Sequence, residues 1–357
     1  MDIAAHSLPD RTGVLLMNTG TPAAPTAAAL RPYLAEFLGD PRVIELPRWL
    51  WLPVLHLGIL TTRPARSARL YARVWTPQGS PLLLTMRAVA ETLQAELSAS
   101  AGQEIPVAIG MRYGQPSIAT ALRELRERGV RRLLALPLFP QYSATTTAAV
   151  LDAVFAELRR WRWMPELRTI SHYHTHPRYL AALAATVREA WAAHGRPERL
   201  LFSFHGLPRS YFLKGDPYYC ECQRTAREVA AALGLAAGEW QVTFQSRFGP
   251  VEWLRPYTDE VLAEGGRAGQ QGTHVICPGF ALDCLETLDE IAHEGRRIYE
   301  GAGGQGFHYI PALNTRADHL AALADLARAH LAGWLDQPAT PPPDPAWVAE
   351  RRSSLGL

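Results

Sequence analysis

The sequence predicts an α/β chain folded as two similar lobes, each a parallel sheet flanked by helices. Three observations carry that expectation. Short apolar runs alternate with longer amphipathic stretches, the pattern of parallel strands joined by crossover helices. The pattern also starts twice: GVLLMNTGTP and LLFSFHGLP are both apolar strands running into a Gly/Pro loop, about 190 residues apart. Most of these strands end on polar or small residues, and in open α/β sheets such carboxyl-end loops bind ligands.

In chain order, the first expected strand is Gly13–Met17, which runs into Asn18-Thr19-Gly20. Pro106–Ile109 and Arg132–Leu138 follow, the latter leading into Pro140-Gln141-Tyr142-Ser143. Amphipathic stretches at Ile118–Glu127 and Ala144–Leu158 supply helices of the same lobe. A boundary near Arg160–Pro165 (RWRWMP) divides the chain into lobes of residues 1–160 and 161–314. The second lobe is expected to hold helices over Tyr179–Ala193 and Thr225–Leu235 and strands Leu200–Phe204, Val242–Phe244 and His274–Cys277. A helix over residues 315–336 is expected to pack back on the first lobe. The proline-rich tail, residues 337–357, is expected to be extended or disordered.

The 357 residues give room for two domains with a sizeable core. A net charge of +2 gives no reason to expect a nucleic-acid partner. The first dozen residues, MDIAAHSLPDRT, lack the apolar centre of a secretory leader, so a cytoplasmic protein is expected. Neither GxGxxG nor a GxxxxGK-Ser/Thr loop is read in the sequence, so no phosphate-binding signature and no nucleotide cofactor is expected. The apolar stretch WLWLPVLHLGIL, Trp49 to Leu60, is shorter than the roughly 20 residues a membrane span needs. It is either a buried or half-buried helix, or an aromatic-rich lip that touches a membrane or admits a flat apolar ligand.

Four constellations carry chemistry. His205 stands at the mouth of an apolar strand and is followed at once by Gly206 and Pro208. It is either a satisfied polar cap or an imidazole held at a cleft, where it can take a proton near neutral pH or bind a metal. Glu286, Glu290 and Glu294 are spaced i, i+4, i+8 on a helix expected to begin around Asp283, and so share one face. The row is either a solvated acidic face or, at the same sheet edge as His205, a path for protons or a divalent cation. His172, His174 and His176 alternate in HYHTH, which on a strand would give them one face. Pro177 follows, and surface or strand-end histidines are the expected reading. Cys220, Cys222, Cys277 and Cys284 are spaced C-x-C and C-x6-C, unlike the usual zinc pairs. They are either ordinary thiols or the ligands of an iron–sulfur cluster.

LLFSFHGLPRSYFLKGDPYYCECQRTA, TFQSRFGPVEWLRPYTDE and CPGFALDCLETLDEI resemble the ferrochelatases, enzymes that insert Fe2+ into a porphyrin. GVLLMNTGTPAAPT, YARVWTPQGSPLL, GMRYGQPSI and LPLFPQYSATTTAAV match family segments in the same order, so the likeness covers all but the proline-rich tail. It implies a class II chelatase-like fold of two Rossmann-like lobes with a porphyrin cleft between them. It also implies formation of protohaem from Fe2+ and protoporphyrin IX with release of two protons. Coproporphyrin or another tetrapyrrole as substrate, and a non-catalytic haem- or metal-binding protein, are the alternatives.

The resemblance places catalysis on His205 and Glu286, with Glu290 and Glu294 completing the metal path. It puts Arg112, Tyr113, Tyr142 and Ser143 in the pocket, Ser80 on a propionate, and residues 49–60 at an apolar lip suited to peripheral membrane contact. Two departures stand out. Animal ferrochelatases carry a histidine two residues before the essential glutamate, where this chain has Cys284. They also bind a 2Fe–2S cluster through a cysteine in the PQYS segment and three near the C-terminus. This chain has Ala144 and no cysteine after Cys284, so such a cluster would have to use Cys220, Cys222, Cys277 and Cys284.

Overall fold

The computed structural model describes residues 10–335, 344–354 and 356. The first sheet contains β1 (Arg11–Thr21), β2 (Val107–Gly114), β3 (Val130–Pro137) and β4 (Glu166–Thr169), all parallel, in the order β2-β1-β3-β4. The second contains β5 (Arg199–His205), β6 (Trp240–Gln245), β7 (Gln271–Ile276) and β8 (Gln305–Ile310), all parallel, in the order β6-β5-β7-β8. One topology is thus used twice. In each sheet the winding reverses beside its first strand, so the crevices open at the carboxyl ends of β1/β3 and of β5/β7.

The central strands read as unbroken apolar runs because both their faces are buried. Val14 and Leu16 enter one core, and Leu15 and Met17 the core on the opposite face. β4 and β8 were not visible in this way. Each is an edge strand, ELRT and QGFHYI, with no continuous apolar run to mark it. Since β4 pairs with β3, the first sheet runs to Thr169, beyond the boundary read at Arg160–Pro165.

The first lobe carries α1 (Ala27–Gly39), α2 (Arg48–Pro53), α3 (Leu60–Val74), α4 (Pro81–Ala101), α5 (Ile118–Glu127) and α6 (Ala149–Leu158). The second carries α7 (Pro177–His194), α8 (Arg209–Leu213), α9 (Tyr218–Ala232), α10 (Thr258–Arg267), α11 (Arg296–Gly301) and α12 (Ala317–Leu331). α5 has the expected bounds, fixed by Ser117, whose hydroxyl accepts from the Thr120 N–H at 3.1 Å. Three segments wind as π-helix: Val54–Ile59, Ala144–Ala148 and Glu286–Gly295. α12 lies against α7 and α4, and its Arg328 bonds Glu96 of α4 at 2.5 Å.

Two readings of the sequence are corrected here. Gly301-Ala302-Gly303-Gly304-Gln305-Gly306 does spell GxGxxG, but it leads from α11 into β8, the reverse of the strand-to-helix turn that cradles phosphate. In the tail, residues 337–343 lie outside the described residues, while Pro345–Ser354 forms α13 rather than an extended chain. Pro345 occupies its first turn, where the missing N–H costs nothing.

Candidate active site

The two crevices face each other across a cleft of about 1320 Å³. From the first lobe it is lined by Asn18–Thr21 at the end of β1, by Tyr33, Phe37 and Tyr71, by Ser80, and by arginines of α3. From the second come His205–Pro208 at the end of β5, Ser246–Val251 after β6, Gly279–Leu282 after β7, and Glu286, Asp289, Glu290 and Glu294.

His205 is half-buried, and its Nδ1 lies 2.6 Å from the carbonyl oxygen of Gly206. A carbonyl can only accept, so Nδ1 carries the proton and Nε2 keeps a free lone pair. The following residue must be glycine. A Cβ at Gly206 would meet the Gln245 carbonyl oxygen at 2.7 Å and the Trp253 ring at 3.1 Å. The Gly-Pro turn noted in the sequence therefore fixes both the position and the tautomer of the ring.

The carboxylate row on the same wall is held by residues the sequence did not single out. Buried Gln245, paired with His205 across β5 and β6, donates to the Glu286 carbonyl at 2.9 Å and to the Glu290 carboxylate at 3.4 Å. Ser246 adopts a left-handed backbone, φ 67°, rare outside glycine and associated with functional sites. That conformation turns both its N–H (2.6 Å) and its hydroxyl (2.5 Å) onto Glu290. Burial raises the Glu290 carboxyl above its ordinary range, the Ser246 bonds and His205 draw it back, and Glu286 adds to the rise. Glu294, by contrast, is held low by Arg297 at the solvent end. The row thus grades from a carboxyl that takes a proton readily to one that releases it.

The helix expected from about Asp283 begins at Leu285, and Asp283 instead anchors it. Its buried carboxylate accepts from Thr287 (2.8 Å), Tyr309 (2.6 Å), Asn314 (2.7 Å) and the Ala312 N–H (3.3 Å). Asp289 lines the cleft and pairs with Arg73 of α3 at 3.2 Å, bridging the lobes. Tyr211 adds a second bridge, donating to the Val43 carbonyl at 2.9 Å. Burial, assisted by the charge of Glu286, raises the Tyr33 and Tyr71 hydroxyls and keeps them neutral.

Of the expected pocket residues, Ser80 lines the cleft, its hydroxyl 2.8 Å from that of Thr21. Arg112, Tyr113, Tyr142 and Ser143 are not among the residues that line the cleft. Asp40, buried in the first lobe, holds Arg112 at 2.5 Å and the Tyr113 hydroxyl at 2.9 Å. Ser143 caps the turn Ala144–Ala148 and donates to Asp216 at 3.0 Å, while the Tyr142 N–H donates to Glu221 at 2.7 Å. Residues 49–60 form an exposed lip: Trp49 and Leu57 are each 79 % exposed, and Leu50, Leu52 and Val54 also face outward. No described helix is long and apolar enough to cross a membrane.

The four cysteines do not fit a 2Fe–2S cluster. Cys222 is buried in the core on one face of the second sheet and Cys277 in the core on its other face. Cys284 borders the cleft and Cys220 is exposed on α9. Burial raises the Cys222, Cys277 and Cys284 thiols well above their ordinary range. His172, His174 and His176 lie in the loop between β4 and α7 rather than on a strand; His172 is exposed and His174 buried.

A family model described as Ferrochelatase matches residues 11–331. The ferrochelatase of Nitrosococcus oceani is 55% identical over 92% of this chain and 89% of that protein. That of Aromatoleum aromaticum is 51% identical over 98% and 96%. Among solved structures, CbiX, the terminal enzyme for biosynthesis of siroheme in denitrifying bacteria, superposes with a TM-score of 0.50 at 17% identity, covering 90% of this chain and 100% of that one. SirB from Bacillus subtilis with Fe3+ also gives 0.50, at 14% identity over 73% and 96%. At these identities the structural likeness concerns the fold alone.

Proposed function

The chain belongs to the ferrochelatase family, and from that premise we propose how its cleft is used. Its reaction is insertion of Fe2+ into protoporphyrin IX with release of two protons, which makes it a lyase of haem biosynthesis. The porphyrin lies between the lobes. Two pyrrole N–H bonds must break, and the ring must bend, because a flat macrocycle hides its nitrogen lone pairs. A cleft held by rigid sheet ends can favour the bent form.

His205 Nε2 takes one pyrrole proton and becomes imidazolium. The second passes to Glu286 or Glu290 as Fe2+ moves from carboxylate ligation onto the four ring nitrogens. Glu294 then returns protons to solvent. The observation that carries this reading is the Gly206 carbonyl bond, which leaves His205 a base on the same cleft wall as a buried carboxyl poised to be protonated. No step uses the cysteines.

Arg63, Arg66 and Arg69 recur along the cleft-facing side of α3, and among the described residues none has a carboxylate within 4.0 Å. They suit the two propionates of the ring. Arg66→Ala is expected to raise KM for protoporphyrin about 3- to 10-fold with kcat unchanged, as loss of uniform binding does. Steady-state kinetics check this, and running coproporphyrin beside protoporphyrin tests the substrate: faster turnover of coproporphyrin would reverse the choice.

The exposed lip suits peripheral contact of a cytoplasmic enzyme with a membrane. Removing two large apolar contacts, each worth about 1.5–3 kcal/mol when fully buried, is expected to weaken vesicle binding at least about tenfold in the Trp49→Ser/Leu57→Ser variant. Co-sedimentation with phospholipid vesicles measures it, and equal partitioning of parent and variant would remove the membrane role.

A further inference from the structure

Behind the cleft wall, three side chains that take no part in the chemistry above converge. We propose that His172, His174 and Glu221 form a second divalent-cation site, taking a borderline first-row cation such as Zn2+ or Fe2+. Their ligand atoms all lie within 4.8 Å of one another. His172 Nδ1 is 2.7 Å from one Glu221 oxygen, and His174 Nδ1 is 3.2 Å from the other. A tetrahedral ion with bonds of about 2.0–2.1 Å spaces its ligands roughly 3.3 Å apart, so little movement is needed to admit one.

The second, independent observation is His174 itself. It is only 6 % exposed, and its Nδ1 has no hydrogen-bond partner although it points at the carboxylate. Buried ring nitrogens seldom go unpaired, and a cation between it and Glu221 would satisfy it. Two imidazoles and a carboxylate suit zinc and ferrous iron rather than magnesium or calcium. His172, half exposed, gives the ion a route from solvent, with water completing its coordination.

The ligands come from two segments, and a third is attached to them. His172 and His174 flank Tyr173, whose N–H donates to the Pro140 carbonyl at 2.9 Å. Glu221, on α9 of the second lobe, also accepts from the Tyr142 N–H of the loop after β3. The neighbouring Gln141, Thr145 and Thr146 line the cleft. A bound ion would therefore tie the interlobe loop, α9 and the cleft wall together, as a fastening separate from the reacting groups.

Titrating the metal-free full-length protein with Zn2+ and no porphyrin, by calorimetry, tests the site. The expected result is a binding event kept in His205→Ala and weakened at least about tenfold, as loss of one ligand does, in His172→Ala and in Glu221→Gln. Zn2+ should raise Tm of the parent and not of His172→Ala, whose exposed position leaves the metal-free fold intact. Equal Zn2+ affinity in the parent and both site variants would overturn the proposal. So would loss of the event in His205→Ala, which would place the ion in the catalytic cleft.

Discussion

His205→Ala is expected to lower kcat for Fe2+ insertion by about 10²- to 10⁴-fold, the contribution of a positioned general base, while porphyrin affinity stays within a few-fold of the parent. The two readouts separate because the ring supplies a lone pair and little of the binding surface. The bond from Nδ1 to Gly206 holds that lone pair at Nε2, and the apolar and basic lining of the cleft remains after truncation. An anaerobic assay following haem absorbance reads turnover, and quenching of porphyrin fluorescence reads binding. Turnover near the parental rate would take the proton role away from His205. A parallel fall in both would make the ring a binding contact instead.

Asp283→Ala should have the largest effect on stability. The carboxylate is 8 % exposed and serves four donors drawn from the π-helical segment, β8 and the loop after it. Truncation leaves the Tyr309 hydroxyl and the Ala312 N–H without this acceptor and strips Thr287 and Asn314 of their shorter bonds, a loss of about 3–5 kcal/mol for a broken buried charged network. For a chain of this size that lowers Tm by about 4–7 °C. Because Thr287 is one of the donors, the start of the helix that carries Glu286 loosens as well, and kcat falls with Tm. Calorimetry and the haem assay on the same preparation check the pair. A melting point within about 2 °C of the parent, with full activity, would show that the network is dispensable.

What the sequence made legible follows burial. Strands covered on both faces leave continuous apolar runs, so the four central ones were found; of the edge strands, β2 and β6 keep a short apolar run and were found, while β4 and β8 were not. His205 was legible because a Gly-Pro turn after such a run marks a crevice end. Its supports were not. Gln245 is an ordinary strand residue until register sets it beside His205, and nothing local marks the left-handed backbone of Ser246. Arg112 and Tyr113 were expected in the pocket on the resemblance alone. Their strand, β2, lies at the far side of β1 from the crevice, and Asp40 holds both side chains there. The cysteines could be grouped by spacing in the chain, but a sheet separates Cys222 from Cys277.

The repeated topology has a consequence for the direction of the chemistry. The two crevices are equivalent by winding, yet the first ends in Asn18-Thr19-Gly20, with Tyr33 and Tyr71 kept neutral beside it, and the second in His205 with the glutamate row. A flat ring lying between them has one inert side and one titrating side. In the proposed mechanism proton traffic is confined to a single face of the macrocycle, which makes the reaction on the duplicated scaffold handed.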